Sequence, residues 1–513
     1  MNVLLIEAPW PSFLVDGSQR SLPPLGIGYL VSALEHAGHN CVVISPGIGD
    51  LADFCDIFSS QVDFSKISLI GISSVTDSFR YCCSIVRSIK ARFPGIPVVL
   101  GGVHATLVGG DIILEKIRGL FDYVLEGEGE YSLPKLADCI SLSDKSSLST
   151  IGGLCYYDEA NIVIKNPRQL ITDLNELCFP RRSAIRQPET TAYSEYGKDV
   201  TMITSRGCSH NCSFCSVAAF FNHSWRFRSI DNVLLEIEDI VELYGERFFL
   251  HFIEDNFFVD TKRAYTIISE AHSKWPNIRF SFATRSDQVI RGETYIKGMA
   301  SLGVATIELG IENGSQRILN RYNKKTTLSD NQLALNILKE SSIEYAVDYI
   351  FFDHYTDLDD IGDNIEFLKQ TGLWGYYPPV VYSSLTLYPG TVVAKRWEEN
   401  EGQSIGIFEG AEIQIKNSAV SRIYKVLQDF SGNQPRIYKI LQKCQIAENK
   451  KSKNIGTYRL IYKQLSLMPY KLLEDLYILE KEAKQVNAKK TISDLVDTIE
   501  KCEKLIQLLE GPI

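Results

Sequence analysis

The chain has 513 residues, 45% hydrophobic and 23% charged, values that exclude gross disorder and exceed what one ordinary core serves, so two or three domains are expected. A formal net charge of −10 gives no support to a general nucleic-acid-binding surface. Twelve cysteines are too sparse for a disulfide scaffold, so the nine that lie outside one tight group are expected to be buried free thiols in a reducing cytosol.

The opening stretch MNVLLIEAPWPS has no basic segment before its short apolar run, and nowhere do 18 apolar residues follow one another. Neither a secretory signal nor a membrane span is expected, and the protein is expected in the cytoplasm. Over 1–145, short apolar runs at 2–7, 40–45, 68–73, 96–102 and 121–129 alternate with helical patterns, such as Leu25, Tyr29, Leu30, Ala33, Leu34 and Ala37. That alternation predicts a parallel sheet covered on both faces, a doubly wound α/β fold with its ligand site beyond the strand ends. Those ends read ISSVTD, GGVHAT and EGEGE; glycines allow close backbone approach and hydroxyls give directed hydrogen bonds. GIG at 26–28 lacks the third glycine of a dinucleotide fingerprint, since Val31 stands there, and it lies inside a helical pattern.

Residues 146–198 read as a connector with a hairpin in GLCYYDEANIVIKN. From 199 to 400 a second alternating region has strand patterns at 200–205, 248–254, 278–284, 304–312, 345–352 and 380–388. Six βα units are too few for a closed eight-stranded barrel, so a partial (β/α)6 barrel is predicted, with its reactive face beyond the strand ends. From 401 to 513 the pattern is helical and more charged, ending in a stripe of Ile492, Leu495, Ile499, Cys502, Ile506 and Leu509.

The segment SRGCSHNCSFC places Cys208, Cys212 and Cys215 directly after the first strand of the second region. A structural zinc site needs four closed ligands, and His210 is a conceivable fourth, but no second cysteine pair follows. A 4Fe–4S cube held by three thiolates leaves one iron open, and a loop at a reactive strand end suits it better.

This C-x-x-x-C-x-x-C pattern, with Phe214 before the last cysteine, resembles the radical S-adenosylmethionine (SAM) superfamily. The resemblance implies that the open iron chelates SAM. HFIEDNFF (251–258), FATRSD (282–287), IELGIENGSQRIL (307–319) and LYPGT (387–391) are similar to later segments of that family. On that resemblance Phe214, Glu254, Asp255, Arg285 and Glu312 are implied to contact SAM. After the fifth strand the family's glycine–proline turn is replaced by FFDHYTDLDD, so no role carries over to Asp353 or His354.

Residues 1–140 resemble the cobalamin-binding domain that precedes many radical SAM enzymes, and the resemblance implies contacts from Ser73, Ser74, Thr76, Gly101, Gly102, His104, Glu126, Gly127 and Glu128. None of the eight histidines lies in a D-x-H-x-x-G motif, so no protein histidine from that motif is expected on cobalt. The resemblance thus implies a methyltransferase that acts on an unactivated carbon or phosphorus centre through methylcobalamin and a 5′-deoxyadenosyl radical. It also implies a small-molecule or peptide substrate and an electron donor such as a flavodoxin or ferredoxin. Its rivals are a cyclase or rearrangement enzyme with the same cofactors, a non-enzymatic cobalamin- or metal-binding regulator, and a methylthiotransferase acting on RNA.

Overall fold

A computed structural model describes residues 1–7, 22–46, 54–185, 197–376, 378–408, 410–449, 452–484 and 488–510. The N-terminal sheet holds β1 (Asn2–Glu7), β2 (Asn40–Ile44), β3 (Leu69–Ser73), β4 (Val98–Gly101), β5 (Tyr123–Leu125), β6 (Leu154–Tyr157) and β7 (Val163–Lys165). Their order is β2-β1-β3-β4-β5-β6-β7; β1 to β5 run parallel and the β6–β7 hairpin is antiparallel. The hairpin read from the connector therefore extends this sheet.

Apolar runs without alternation arise because helices cover both faces. Val3, Leu5, Leu69 and Val99 pack with Leu34 and Leu136 of helices Leu25–His36 and Ser132–Leu142. Leu4, Ile6, Ile70 and Ile72 pack with Phe79, Ile85 and Ile113 of helices Phe79–Arg92 and Gly110–Lys116. The strand order reverses direction at β1 and β3, which opens a crevice at their C-terminal ends.

The second region begins with β8 (Lys198–Met202), followed by a two-stranded antiparallel ribbon of β9 (Ser205–Gly207) and β10 (Trp225–Phe227). β11 (Phe248–Phe252), β12 (Arg279–Arg285), β13 (Val304–Glu312) and β14 (Glu344–Tyr349) then join β8 in a five-stranded parallel sheet in chain order. The sixth strand predicted at 380–388 does not form as such. A 3-10 turn covers Pro378–Tyr382, and β15 (Thr386–Leu387) pairs with β16 (Ala411–Glu412). Its link to the barrel, among the described residues, is the parallel bridge between Phe352 and Ser384. Pro378 and Pro379 explain the loss: they lack N–H donors, and their fixed φ suits a tight turn.

Outward side chains of the barrel strands, among them Met202, Leu250, Phe280 and Ile307, share one core with Val420, Leu427, Leu465, Leu473 and Ile499. The last four helices (Ser418–Ser431, Gln434–Asn449, Ile455–Lys481 and Ala488–Glu510) are thereby continuous with the barrel. No described helix is long and apolar enough to cross a membrane. All twelve cysteines are free; of the nine outside the tight group, Cys178 is exposed and Cys41 and Cys139 are half-buried, so burial holds for the other six.

Candidate active site

The chain leaves β8, forms β9 and enters the cysteine loop, which returns through the short helix Ser216–Phe220 to β10. Glu254, just past β11, holds the base of this loop. Its carboxylate accepts from the Thr204 N–H (2.5 Å), the Thr204 hydroxyl (2.8 Å) and the Ser205 hydroxyl (2.7 Å). Burial raises the Glu254 carboxyl, while these hydrogen bonds act in the opposite direction. Gly207 has φ +85°, and a Cβ there would lie 2.1 Å from the Ser224 carbonyl oxygen, so this turn requires glycine. On its far side the loop is tied down by Ser213, whose N–H donates to the Tyr322 carbonyl at 2.8 Å.

Each cysteine sulfur has its own donor. Asn256 Nδ2 donates to Cys208 Sγ at 3.7 Å, and Arg285 Nη1 donates to Cys212 Sγ at 3.3 Å. Burial pushes the Cys215 thiol up to about 12, opposed by the Val217 N–H. Buried thiols of this kind ionise when a metal takes the charge. Among the described residues, no three His, Cys, Asp or Glu side chains are grouped to hold one metal ion. His210 Nε2 lies 3.4 Å from Gln288 Nε2, and burial together with Arg285 lowers its imidazole to about 4. Three separate thiols on one loop, each with one donor, suit a cluster that takes one thiolate per iron.

The residues implied to contact SAM fall into two groups. Glu254 and Asp255 line a cavity, and the surrounding protein raises the Asp255 carboxyl to about 6. Arg285 and Glu312 instead gather with Lys324 beside Cys212. Arg285 donates to the Lys324 carbonyl (2.5 Å) and to Asp287 (2.9 Å), while Lys324 Nζ pairs with Glu312 at 2.7 Å. Glu312 adopts φ +69°, and burial raises its carboxyl against the pull of Lys324. Phe214 packs edge-on against Tyr322 at 5.2 Å. Sequence reasoning missed Asn256 and Lys324. Asn256 lay inside the quoted acidic segment, but Lys324 reaches the site from a turn that carries no motif.

The cavity measures about 480 Å³ and lies between the N-terminal sheet and the cysteine loop. Ser73, Gly101, Gly102, Gly127 and Glu128 form its sheet-side wall, and Leu5, Leu25, Leu30, Val99 and Leu133 make its depth apolar. Among the described residues, a Cβ on Gly26 would meet nothing within 4 Å, and one on Gly101 nothing nearer than the Leu125 carbonyl at 3.8 Å. Bare backbone therefore faces open space at the crevice, which fits a broad, mostly apolar ring system such as a corrin.

Ser74, Thr76, His104 and Glu126 do not line this cavity. His104 is 0% exposed, lies 4.2 Å from the Phe79 ring, and shares a hydrogen bond with the Thr76 hydroxyl at 3.2 Å. Burial lowers its imidazole to about 4. Ser74 is buried, and its carbonyl accepts from the His104 N–H. Glu126 accepts from the Gly110 N–H (2.6 Å) and pairs with Lys165 (2.8 Å). Ser74, His104 and Glu126 each sit one residue from a residue that lines the cavity and Thr76 three residues from Ser73, and the direction of the chain there is not carried by composition.

A doubly wound sheet and a partial barrel that meet at a three-cysteine loop across one cavity define the structural class of this chain. Family models give this class its content: the Radical SAM superfamily model matches residues 202–368, and the B12 binding domain model matches residues 11–137. The chain belongs to the radical SAM enzymes with a cobalamin-binding domain, and its cofactors are a 4Fe–4S cluster, SAM and cobalamin. An uncharacterized methyltransferase of Pyrococcus horikoshii is 27% identical over 78% of this chain and 83% of its own length. An anaerobic magnesium-protoporphyrin IX monomethyl ester cyclase of Synechocystis is 25% identical over 76% of this chain and 75% of its own. In fold, the chain is similar to the cobalamin-dependent S-adenosylmethionine radical enzyme OxsB with aqua-cobalamin bound. That similarity has a TM-score of 0.73 at 18% identity and covers 99% of this chain and 79% of the other.

Proposed function

We propose that the enzyme methylates an unactivated carbon or phosphorus centre of a small-molecule or peptide biosynthetic intermediate. The observation that carries this reading is the shared cavity: Ser73, Gly101 and Gly127 on one wall face Glu254, Asp255 and Ser216 on the other. A substrate between those walls would meet both cofactor sites without leaving the protein. Bound there, the cluster with SAM supplies hydrogen-atom abstraction, and cobalamin supplies a transferable methyl group.

Cys208, Cys212 and Cys215 would hold the cluster, with Asn256 and Arg285 fixing the first two sulfurs. Glu254 keeps the loop base in register, and Asp255 presents a carboxyl that can keep a proton up to about pH 6 at the cavity wall. The apolar depth excludes water from a reactive intermediate. An electron donor such as a flavodoxin or ferredoxin and a cytoplasmic location belong to the same proposal.

The test is anaerobic reconstitution with iron, sulfide, cobalamin and SAM against a panel of candidate substrates. The expected result is 5′-deoxyadenosine and S-adenosylhomocysteine in equal amounts, with a product heavier by one methylene unit. Formation of 5′-deoxyadenosine with no S-adenosylhomocysteine would overturn methylation and favour a cyclase or rearrangement.

A further inference from the structure

The ribbon that carries the cysteine loop is pinned to the cobalamin-binding domain by buried charge. Arg206 and Arg226 face each other in the β9–β10 register, one on each stem of the loop. Arg206 Nη1 pairs with Glu128 at 2.7 Å, and its Nη2 pairs with Glu130 at 2.5 Å. Arg226 Nη1 reaches the other oxygen of Glu128 at 2.7 Å, and that oxygen also accepts from the Ile171 N–H at 2.9 Å. Glu128 and Glu130 belong to the loop after β5, so both stems of the cysteine loop converge on a strand end of the N-terminal sheet. The Arg206 guanidinium also lies 5.3 Å from the ring centre of Tyr29, in helix Leu25–His36.

Two features make this more than a brace. Arg206, Glu128, Glu130 and Tyr29 all line the cavity, so anything seated against the sheet edge touches the network directly. The network is also incompletely satisfied: among the described residues, Nε and Nη2 of Arg226 are buried without a hydrogen-bond partner. Buried ion pairs give little net stability compared with apolar replacements, whereas they fix geometry closely. Arg206 stands two residues before Cys208, so a shift of the Glu128–Glu130 loop reaches the first cysteine through a short, hydrogen-bonded strand.

We propose that Arg206, with Glu128 and Glu130, is a positioning device that couples occupancy of the cobalamin side of the cavity to the geometry of the cluster loop. Occupancy of the sheet edge holds the Glu128–Glu130 loop, the loop holds both guanidinium groups, and the guanidinium groups hold the cysteines. The proposal does not depend on methyl transfer, and its test uses no substrate.

The experiment compares native enzyme, Arg206→Lys and the double variant Arg206→Met/Glu130→Gln, each reconstituted with its cluster. The double variant removes both charges of the outer pair and leaves the Glu128–Arg226 contact in place, so it folds even if a lone unpaired glutamate would not be tolerated. Three quantities are read: iron content, aquacobalamin affinity by absorbance, and the electron paramagnetic resonance spectrum of the reduced cluster with and without cobalamin. In the native enzyme cobalamin is expected to change the cluster spectrum. The double variant is expected to keep its iron, bind aquacobalamin at least tenfold more weakly, and lose the spectral response. Arg206→Lys, which can keep one contact of the bidentate fork, should fall between the two. Native-like affinity with a native-like spectral response in the double variant would overturn the coupling, as would a native cluster spectrum that ignores cobalamin.

Discussion

Cys208, Cys212 and Cys215 share one short loop but differ in surroundings, since the first faces an amide, the second a guanidinium and the third a backbone N–H. In the proposed site none can replace another, because each thiolate would serve one iron. Cys208→Ala, Cys212→Ala and Cys215→Ala are each expected to abolish 5′-deoxyadenosine formation from SAM, whereas His210→Ala should retain it; product chromatography after anaerobic reconstitution checks both. At His104 the chemistry is one of stability. Its imidazole is lowered by burial from 6.5 to about 4, so between those values the unfolded chain binds a proton that the folded chain refuses. Stability attributable to this residue is therefore fully present above about pH 6.5 and lost as pH falls towards 4, on the order of 3 kcal/mol at the low end. His104→Phe, which keeps a ring beside Phe79, should flatten the pH dependence of urea denaturation in that window.

Among the elements, the strand ends of the N-terminal sheet form one wall of the cavity. The glycine at the end of β4 is not demanded by its turn: Gly101 has no positive φ, and a Cβ there would meet nothing nearer than the Leu125 carbonyl at 3.8 Å. Gly101→Val should leave the fold and the cluster intact while filling the cavity. Native iron content and thermal midpoint, with loss of the cobalamin absorbance change on titration, is the expected pattern. Gly71 differs, since its Cβ would lie 2.7 Å from Leu5 Cδ2, inside the sheet packing. The sixth barrel strand illustrates how local chemistry overrides a pattern: 380–388 has strand composition, but the prolines before it start a 3-10 turn.

For the whole molecule, the last four helices matter because their buried side chains belong to the same core as the barrel. Val420, Leu427, Leu473 and Ile499 are buried against the same cluster as the barrel strands. A chain that ends at residue 400 would expose that face to water, and it is expected to aggregate or to fail to melt cooperatively, as scattering and calorimetry would detect. The structural likeness to OxsB covers 99% of this chain, so these helices belong to the shared fold.

Much of the molecule was legible before any coordinates. β13 spans Val304–Glu312 as its pattern predicts, and β1 spans Asn2–Glu7, because long apolar runs bounded by polar turns have few other ways to be buried. The three-cysteine loop was legible for a related reason: its ligand spacing is local and needs no tertiary knowledge. The cobalamin side was less so. Ser73, Gly101, Gly102, Gly127 and Glu128 reach the cavity, while Ser74, Thr76, His104 and Glu126 turn inward, although all nine sit in the same quoted segments. Lys324 and the Arg206–Glu128–Glu130 network depend on long-range pairing and gave no periodic signal. Sequence by itself determined the order of the two α/β regions and the three-cysteine spacing on which the proposed cluster rests, since periodicity and short-range spacing encode both. Tertiary structure alone decided which strand-end residues face the shared cavity and what pins the cluster loop to the cobalamin-binding domain. The reason is geometric: a side chain's direction at a strand end, and its partner from another domain, are set only when the sheets have packed.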